Sequence, residues 1–203
     1  MCYVRVILAS IIPALIYLSI IRMTERYGRE KWRTVLGAFF WGLISALIAA
    51  FLELFIGMFI PLNFTTSAVL LAPVIEEITK PLIFFGSRER EVEDGIVKGA
   101  SAGIGFACLE NILYFSSTES SLLPFIIVIR TIDGFMMHAA AAGFTGLGIA
   151  KGNALPYLLT AMAVHSLSNL LVIFGFLGIF ASVMLSMLLF TFTRSLIKRY
   201  DNM

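Results

Sequence analysis

The sequence is poor in charged residues, cysteine and histidine. Asp, Glu, Lys and Arg make up 14% of the 203 residues, whereas 59% of the residues are hydrophobic. Soluble domains have about 25% charged and about 45–50% apolar residues, so this scarcity of charge excludes a soluble globular domain and a disordered scaffold. The net charge of +2 is too small for a surface that binds nucleic acid. The two cysteines, Cys2 and Cys108, match neither a metal-binding nor a disulfide spacing.

Long apolar stretches occupy most of the chain, whose mean hydropathy is +0.94. A helix needs about 20 apolar residues to cross the hydrocarbon core of a bilayer. The stretches predict an all-α, polytopic membrane bundle of about seven helices, formed by residues 1–203 as one integral-membrane domain. The first stretch continues into charged residues without a small-residue cleavage site, so we expect no cleavable signal peptide. The predicted spans are 3–21, 35–60, 67–85, 95–115, 122–150, 154–174 and 176–193, with six spans as the alternative if the last two form one re-entrant element.

Lys and Arg are distributed unevenly over the predicted loops. Twelve of the 15 lie in the loops 22–34, 86–98 and 151–153 and in the C-terminal tail, whereas Arg5 is alone on the opposite side. Cytoplasmic loops of membrane proteins carry an excess of Lys and Arg. The pattern therefore predicts a cell-membrane protein with its N-terminus outside and its C-terminus in the cytoplasm.

Nine ionisable residues interrupt the predicted spans. Each charged side chain at a helix centre costs about 2.5–3.5 kcal/mol, and the default interpretation of such residues is functional. We therefore expect them to face one another around a shared polar cavity. They are Glu53, Glu76, Glu77, Lys80, Glu110, Arg130, Asp133, His138 and His165.

Helical spacing predicts which of these residues pair. Lys80 follows Glu76 by four residues and Glu77 by three, so it can reach either carboxylate. Adjacent carboxylates point about 100° apart on a helix, so the two are not expected to play the same role. Arg130 and Asp133 are three residues apart and are predicted to pair with each other.

Carboxylates and imidazoles of this kind suit hydrolysis by water. A glutamate can take a proton from water, and His138 or His165 can protonate a leaving amine. Asn169 lies one turn from His165 and can donate to an oxyanion. His–His–Glu can equally hold zinc with one open position, in a site assembled across helices. The spans contain no Ser or Cys nucleophile motif and no paired aspartates.

Four motifs in chain order resemble those of the PrsW family of intramembrane proteases. This family is distantly similar to the CAAX-processing and bacteriocin-processing membrane proteases. In the prenyl-protease group the second motif ends in His, whereas here it ends in Glu, which argues against CAAX processing. The motifs lie on consecutive spans between residues 67 and 174 and read Glu76-Glu77-x-x-Lys80, Phe106-x-x-x-Glu110, Arg130 followed by His138, and His165-x-x-x-Asn169.

The resemblance implies a multi-pass peptidase that cuts a membrane-anchored protein. In the best-known members the substrate is an anti-sigma factor that is cut on its extracytoplasmic side. A zinc ion held by Glu77, His138 and His165 is one implied mechanism, and metal-free activation of water by Glu76 or Glu77 is the other. The implied catalytic residues are Glu76, Glu77, Glu110, His138 and His165, supported by Lys80, Arg130 and Asn169.

Two other functions stay open. A proton- or cation-coupled transporter also places Glu, His and Lys in the membrane, although the internal repeats typical of transporters are absent from this sequence. A catalytically inactive relative that binds a membrane partner is the second. Glu53 belongs to none of the four motifs, and a buried ion pair and a substrate contact are equally open for it.

Overall fold

The computed structural model describes residues 3–27, 29–85, 91–119 and 121–201, and these residues form helices and connecting turns without a strand. The six longest helices are each long and apolar enough to cross a membrane. This confirms the predicted all-α polytopic bundle. The helices are α1 (Tyr3–Arg22), α2 (Trp32–Phe59), α3 (Phe64–Thr66), α4 (Ala72–Thr79), α5 (Val92–Ser117), α6 (Leu123–Ala150), α7 (Ala154–Val172) and α8 (Gly175–Tyr200).

The third predicted span is a helical segment of changing geometry and not one regular helix. α3 passes into a π-helical turn over Ser67–Leu71, α4 follows, and a 3-10 turn over Lys80–Phe84 ends the segment. Pro73 and Pro81 each lie in a first turn, where a missing N–H is tolerated. Irregular backbone is tolerated at membrane depth only where it is buried in protein or lines a cavity. We call residues 64–84 the irregular segment.

α5 lies between α2 and α6 at the centre of the bundle. Small residues let these helices approach closely, which is how helices associate in lipid. At Gly103 a Cβ atom would overlap the carbonyl oxygen of His138, and at Gly105 it would overlap that of Phe39. The glycines of α5 therefore set the distance between the helices that carry Glu110 and His138.

The loop between α1 and α2 is fixed to the end of α8. The Asp201 carboxylate accepts hydrogen bonds from the backbone N–H of Arg26 at 2.6 Å and of Tyr27 at 3.2 Å. Glu25 in the same loop is fully buried, and its Oε2 accepts from the Glu30 N–H at 2.9 Å. Burial raises the pKa of Glu25 to about 7.

Three residues named from the sequence lie outside the described residues. They are Cys2 and two basic residues of the 86–98 loop, Arg88 and Arg90. Cys108 is a buried free thiol in α5.

Candidate functional site

A cavity of about 280 Å³ lies between α2, the irregular segment, α5, α6 and α7. The shared polar cavity expected from the sequence is therefore present. Glu77 and Lys80 do not line it but are buried behind it. The predicted polar residues that line it are Glu53, Glu76, Glu110, Arg130, Asp133, His138, His165 and Asn169.

Each histidine uses one ring nitrogen to contact a carboxylate. Nδ1 of His165 lies 2.8 Å from Oε1 of Glu77, and Nε2 of His138 lies 2.8 Å from Oε2 of Glu110. The two rings meet edge to face, with 4.9 Å between their centroids. The other nitrogens, His138 Nδ1 and His165 Nε2, are each 3.9 Å from Oε2 of Glu76. Two imidazole nitrogens and one carboxylate oxygen thus face the same space.

Glu76 and Glu77 are neighbours in sequence but have different surroundings. Glu76 lines the cavity, and its buried Oε2 has no hydrogen-bond partner among the described residues. Glu77 accepts from the Lys80 ammonium at 2.6 Å as well as contacting His165. The two side chains point in different directions, as expected for adjacent residues of a helix, which are about 100° apart.

Lys80 places a buried ammonium at the centre of this group. Its Nζ lies 2.9 Å from His138 Nδ1 and 3.7 Å from Glu76 Oε2, and 4.3 Å from the centre of the Phe106 ring. The backbone oxygen of Lys80 accepts from the Trp41 indole N–H at 3.1 Å. Because an ammonium can only donate, Nδ1 of His138 is the accepting nitrogen and Nε2 carries the hydrogen toward Glu110.

Arg130 pairs with Glu110, so the predicted pair with Asp133 is wrong. The guanidinium lies 2.7 Å from Oε2 of Glu110, and its Nε donates to Oδ1 of Asn111 at 2.7 Å. It also lies over the Tyr114 ring, 4.0 Å from the ring centre. The long arginine side chain reaches across to α5, where an acid and an amide are adjacent. Asn111 belongs to none of the four motifs, although it holds Arg130 beside the cavity.

Asp133 faces α7 and α8 instead. Its carboxylate accepts from Ser182 at 2.8 Å and from Ser186. Ser182 in turn contacts Ser168 of α7 at 2.7 Å. This network joins α6, α7 and α8. The sequence signal that could have found it is the four-residue spacing of the two α8 serines, which places both on one face.

Asn169 connects α7 to the irregular segment. Its amide donates to the backbone oxygen of Ala68 at 2.8 Å, within the π-helical turn. Glu53 is half-buried at the cavity wall and makes no ion pair or hydrogen bond with any residue that the structure describes. Glu53 therefore does not form a buried ion pair among these residues, and a substrate contact is the alternative that stays open.

Comparison with known proteins identifies a family. Residues 30–194 match the family model described as PrsW family intramembrane metalloprotease. The matched range covers most of the chain and contains all four motifs. The chain belongs to the PrsW protease family.

Two proteins named Protease PrsW are similar to this chain. The chain is 32% identical to "Protease PrsW" of Bacillus subtilis over 116 residues, which cover 54% of this chain and 53% of that protein. It is 28% identical to "Protease PrsW" of Clostridioides difficile over 153 residues, 71% of this chain and 64% of that protein. The chain thus spans between about half and two thirds of the length of these relatives. No solved structure shows a significant match.

The donor atoms of this PrsW family member fit the metal that the family description implies. Glu76, His138 and His165 each offer one ligand atom, and these atoms lie within 4.8 Å of one another. Imidazole nitrogen and carboxylate oxygen are common zinc ligands. The opposite nitrogen of each imidazole contacts a carboxylate, the usual support for a metal-binding histidine.

The carboxylate in this donor group differs from the one expected. The predicted metal set contained Glu77, whereas the structure brings Glu76 to the two histidines. The reason is that Glu77 is held by Lys80 and by the far nitrogen of His165. An ion bound here would take over the contact that Lys80 now makes with His138.

Proposed function

We propose that the chain is an intramembrane peptidase that hydrolyses a peptide bond of a membrane-anchored protein. The observation that carries the proposal is the convergence of Glu76, His138 and His165 on one cavity among membrane-spanning helices. Membership of the PrsW family supports the same reaction class. An anti-sigma-factor-like substrate is the one that the family resemblance suggests.

In a metal-free mechanism Glu76 is the general base. Glu76 lines the cavity and its Oε2 accepts no hydrogen bond among the described residues, so it can take a proton from water as the water oxygen attacks the scissile carbonyl carbon. The C–N bond then breaks, and the proton passes to the leaving amine. His165 orients the water, because its accepting nitrogen is 3.9 Å from the same oxygen, and His138, whose Nδ1 accepts from Lys80, fixes Lys80 beside it.

In a metal-dependent mechanism Glu76, His138 and His165 would hold the ion, for which we propose zinc. A bound zinc ion polarises a carbonyl and lowers the pKa of a bound water. The surrounding residues have the same roles in both mechanisms. Glu77 and Glu110 fix the two imidazole rings, and Lys80 and Arg130 compensate the charges of these two acids.

We propose that the cut lies on the extracytoplasmic side. The cavity is lined by Phe64, Leu113 and Tyr114 at one end of the bundle. The adjoining loops, 61–66 and 116–121, contain no Lys or Arg. This charge pattern is typical of loops on the outer side.

Reconstitution with single-span reporter proteins tests the proposal. We expect wild-type protein to cut a reporter with a short extracytoplasmic stub at one bond, and Glu76→Gln and His165→Ala to abolish the product. Glu119→Gln, which changes an exposed acid of the α5–α6 loop, is the matched control and is expected to retain activity. Failure of folded wild-type protein to cut any reporter would contradict a peptidase, and solute flux without cleavage would favour a transporter. Metal analysis with and without a chelator distinguishes the two mechanisms.

A further inference from the structure

Glu53 is the one acid lining the cavity that has no partner among the described residues. Glu110 contacts Arg130 and His138, and Glu76 faces the two histidines. Asp133 accepts from the serines of α8. An ionisable side chain in a membrane span carries a cost that a partner normally offsets. We therefore expect a partner of Glu53 that is not one of these residues.

Each of the two cations of the site contacts another acid. Lys80 donates to Glu77 at 2.6 Å, and Arg130 lies 2.7 Å from Glu110. The carboxylate of Glu110 and the ammonium of Lys80 act on Glu53 through space with opposite sign, and neither contacts it. A cation that arrived beside Glu53 would form a direct ion pair with its carboxylate.

Glu53 lies on a face of α2 that lines the cavity. Ala46, Ala49, Ala50 and Glu53 follow the i, i+3, i+4, i+7 spacing of one helix face, and all four line the cavity. Ala46 and Ala49 are buried by side chains packed on them, whereas Ala50 and Glu53 are partly exposed. Glu53 is six residues before the end of α2 at Phe59, which places it ~9 Å from that helix end.

We infer that Glu53 determines substrate specificity by binding a basic side chain, Lys or Arg, at one fixed position near the cut bond. The inference rests on the proposed function, because it takes the occupant of the cavity to be a polypeptide. The substrate chain occupies the cavity beside Ala50, and the Glu53 carboxylate accepts a charge-assisted hydrogen bond from the basic side chain. Glu53 lies on α2 and belongs to none of the four motifs, so it can vary the sequence preference without altering the Glu76, His138 and His165 group.

A charge-reversal experiment tests the inference. The probes are single-span reporters with a neutral stub in which one Lys, or one Glu, is moved through successive positions beside the span. For wild-type protein we expect Lys at one position to raise kcat/KM about 10- to 100-fold over Glu, the size of effect expected of one charge-assisted hydrogen bond. Glu53→Gln is expected to reduce this preference to below twofold, and Glu53→Lys to reverse it. Glu119→Gln should keep the wild-type preference.

Affinity measurements with the same reporters separate the two proposals. Cleavage with the same preference in wild type, Glu53→Gln and Glu53→Lys overturns the role of Glu53 and leaves the peptidase intact. Binding that favours the Lys reporter and is reversed by Glu53→Lys, without cleavage, supports the role of Glu53 and contradicts the peptidase. Absence of both binding and cleavage in folded wild-type protein overturns both. Thermal unfolding of each variant verifies that it is folded.

Discussion

At the scale of single residues, the site depends on which way each carboxylate points. Glu76 and Glu77 are adjacent, yet one faces the cavity and the other holds Lys80 and His165 behind it. Since a helix turns by about 100° per residue, two neighbours cannot both face the same small space. The pair therefore supplies one carboxylate that lines the cavity and one that fixes an imidazole.

This difference predicts unequal effects on metal affinity. Glu77→Gln is expected to weaken zinc binding about 10- to 100-fold, as for other residues that support a ligand. Glu76→Gln replaces a charged ligand oxygen by a neutral amide oxygen and should weaken zinc binding further. Competition with a chromophoric chelator measures both affinities, with Glu119→Gln as the control. Equal zinc affinity in Glu76→Gln and wild type would contradict the donor set.

The sequence identified the polar residues but could not fix their partners. Nine ionisable residues in apolar stretches were recognisable because each is costly in lipid. The partner of Arg130 was mispredicted, because local i,i+3 spacing favours Asp133 whereas the folded chain brings Glu110 and Asn111 from α5 to it. Which carboxylate joins His138 and His165 likewise depends on how α4 is rotated against its neighbours, and helical spacing alone does not determine that rotation.

Glu25, outside the spans, predicts a pH dependence of stability. Its pKa is raised to about 7 from 4.5, so the folded state holds a proton that the unfolded state has lost between these values. Below pH 4.5 Glu25 therefore does not lower the free energy of unfolding. This free energy falls as the pH rises from 4.5 toward 7. Glu25→Gln should remove this fall and stabilise the protein at pH 8 by about 1–3 kcal/mol. Chemical unfolding at pH 5 and pH 8 measures the free energy of unfolding of both proteins. The same change between the two pH values in wild type and Glu25→Gln would show that Glu25 is not the cause.

At the scale of helices, the irregular segment explains how a membrane protein can hold a polar site. The sequence 67–85 was correctly predicted to be helical and apolar, but its hydropathy does not reveal the π and 3-10 turns. These turns depend on tertiary contacts, among them the bond from Asn169 to Ala68 and that from Trp41 to Lys80. The break in regular geometry places α4, with Glu76 and Glu77, against α7.

The contact between α5 and α6 predicts a severe effect of a small substitution. Gly103→Ala should push the two helices apart, because the added Cβ would overlap the His138 carbonyl oxygen. We expect a loss of about 1–3 kcal/mol in stability, as for other overpacked cores. Activity should fall too, since Glu110 and His138 lie on the separated helices.

Gly57→Ala is the matched control for this substitution. It also lies in a long helix, but a Cβ there has no atom within 4 Å. It should keep the wild-type Tm or raise it slightly, because alanine is the better helix former. Thermal unfolding in detergent compares the three proteins, and an unchanged Tm for Gly103→Ala would show that α5 and α6 are not packed this closely.

At the scale of the whole molecule, the distribution of charge relates the cavity to the two sides of the membrane. The end of the bundle near Phe64 and Tyr114 adjoins loops without Lys or Arg, whereas the opposite end carries the basic loops. The positive-inside rule therefore predicts that the cavity opens toward the extracytoplasmic side. A substrate with its soluble part outside the cell would reach Glu53 and Glu76 from that side.

Cysteine labelling in intact cells tests this orientation. In a Cys2→Ser background, Leu62→Cys lies in the loop before α3 and Asn153→Cys in the turn before α7. A membrane-impermeant maleimide should label Leu62→Cys in intact cells and Asn153→Cys only after permeabilisation, while the buried Cys108 stays unlabelled. Labelling of Asn153→Cys in intact cells with protection of Leu62→Cys would reverse the topology. The cavity would then open toward the cytoplasm, and the extracytoplasmic cut would have to be abandoned even if the Glu76, His138 and His165 group proved to be catalytic.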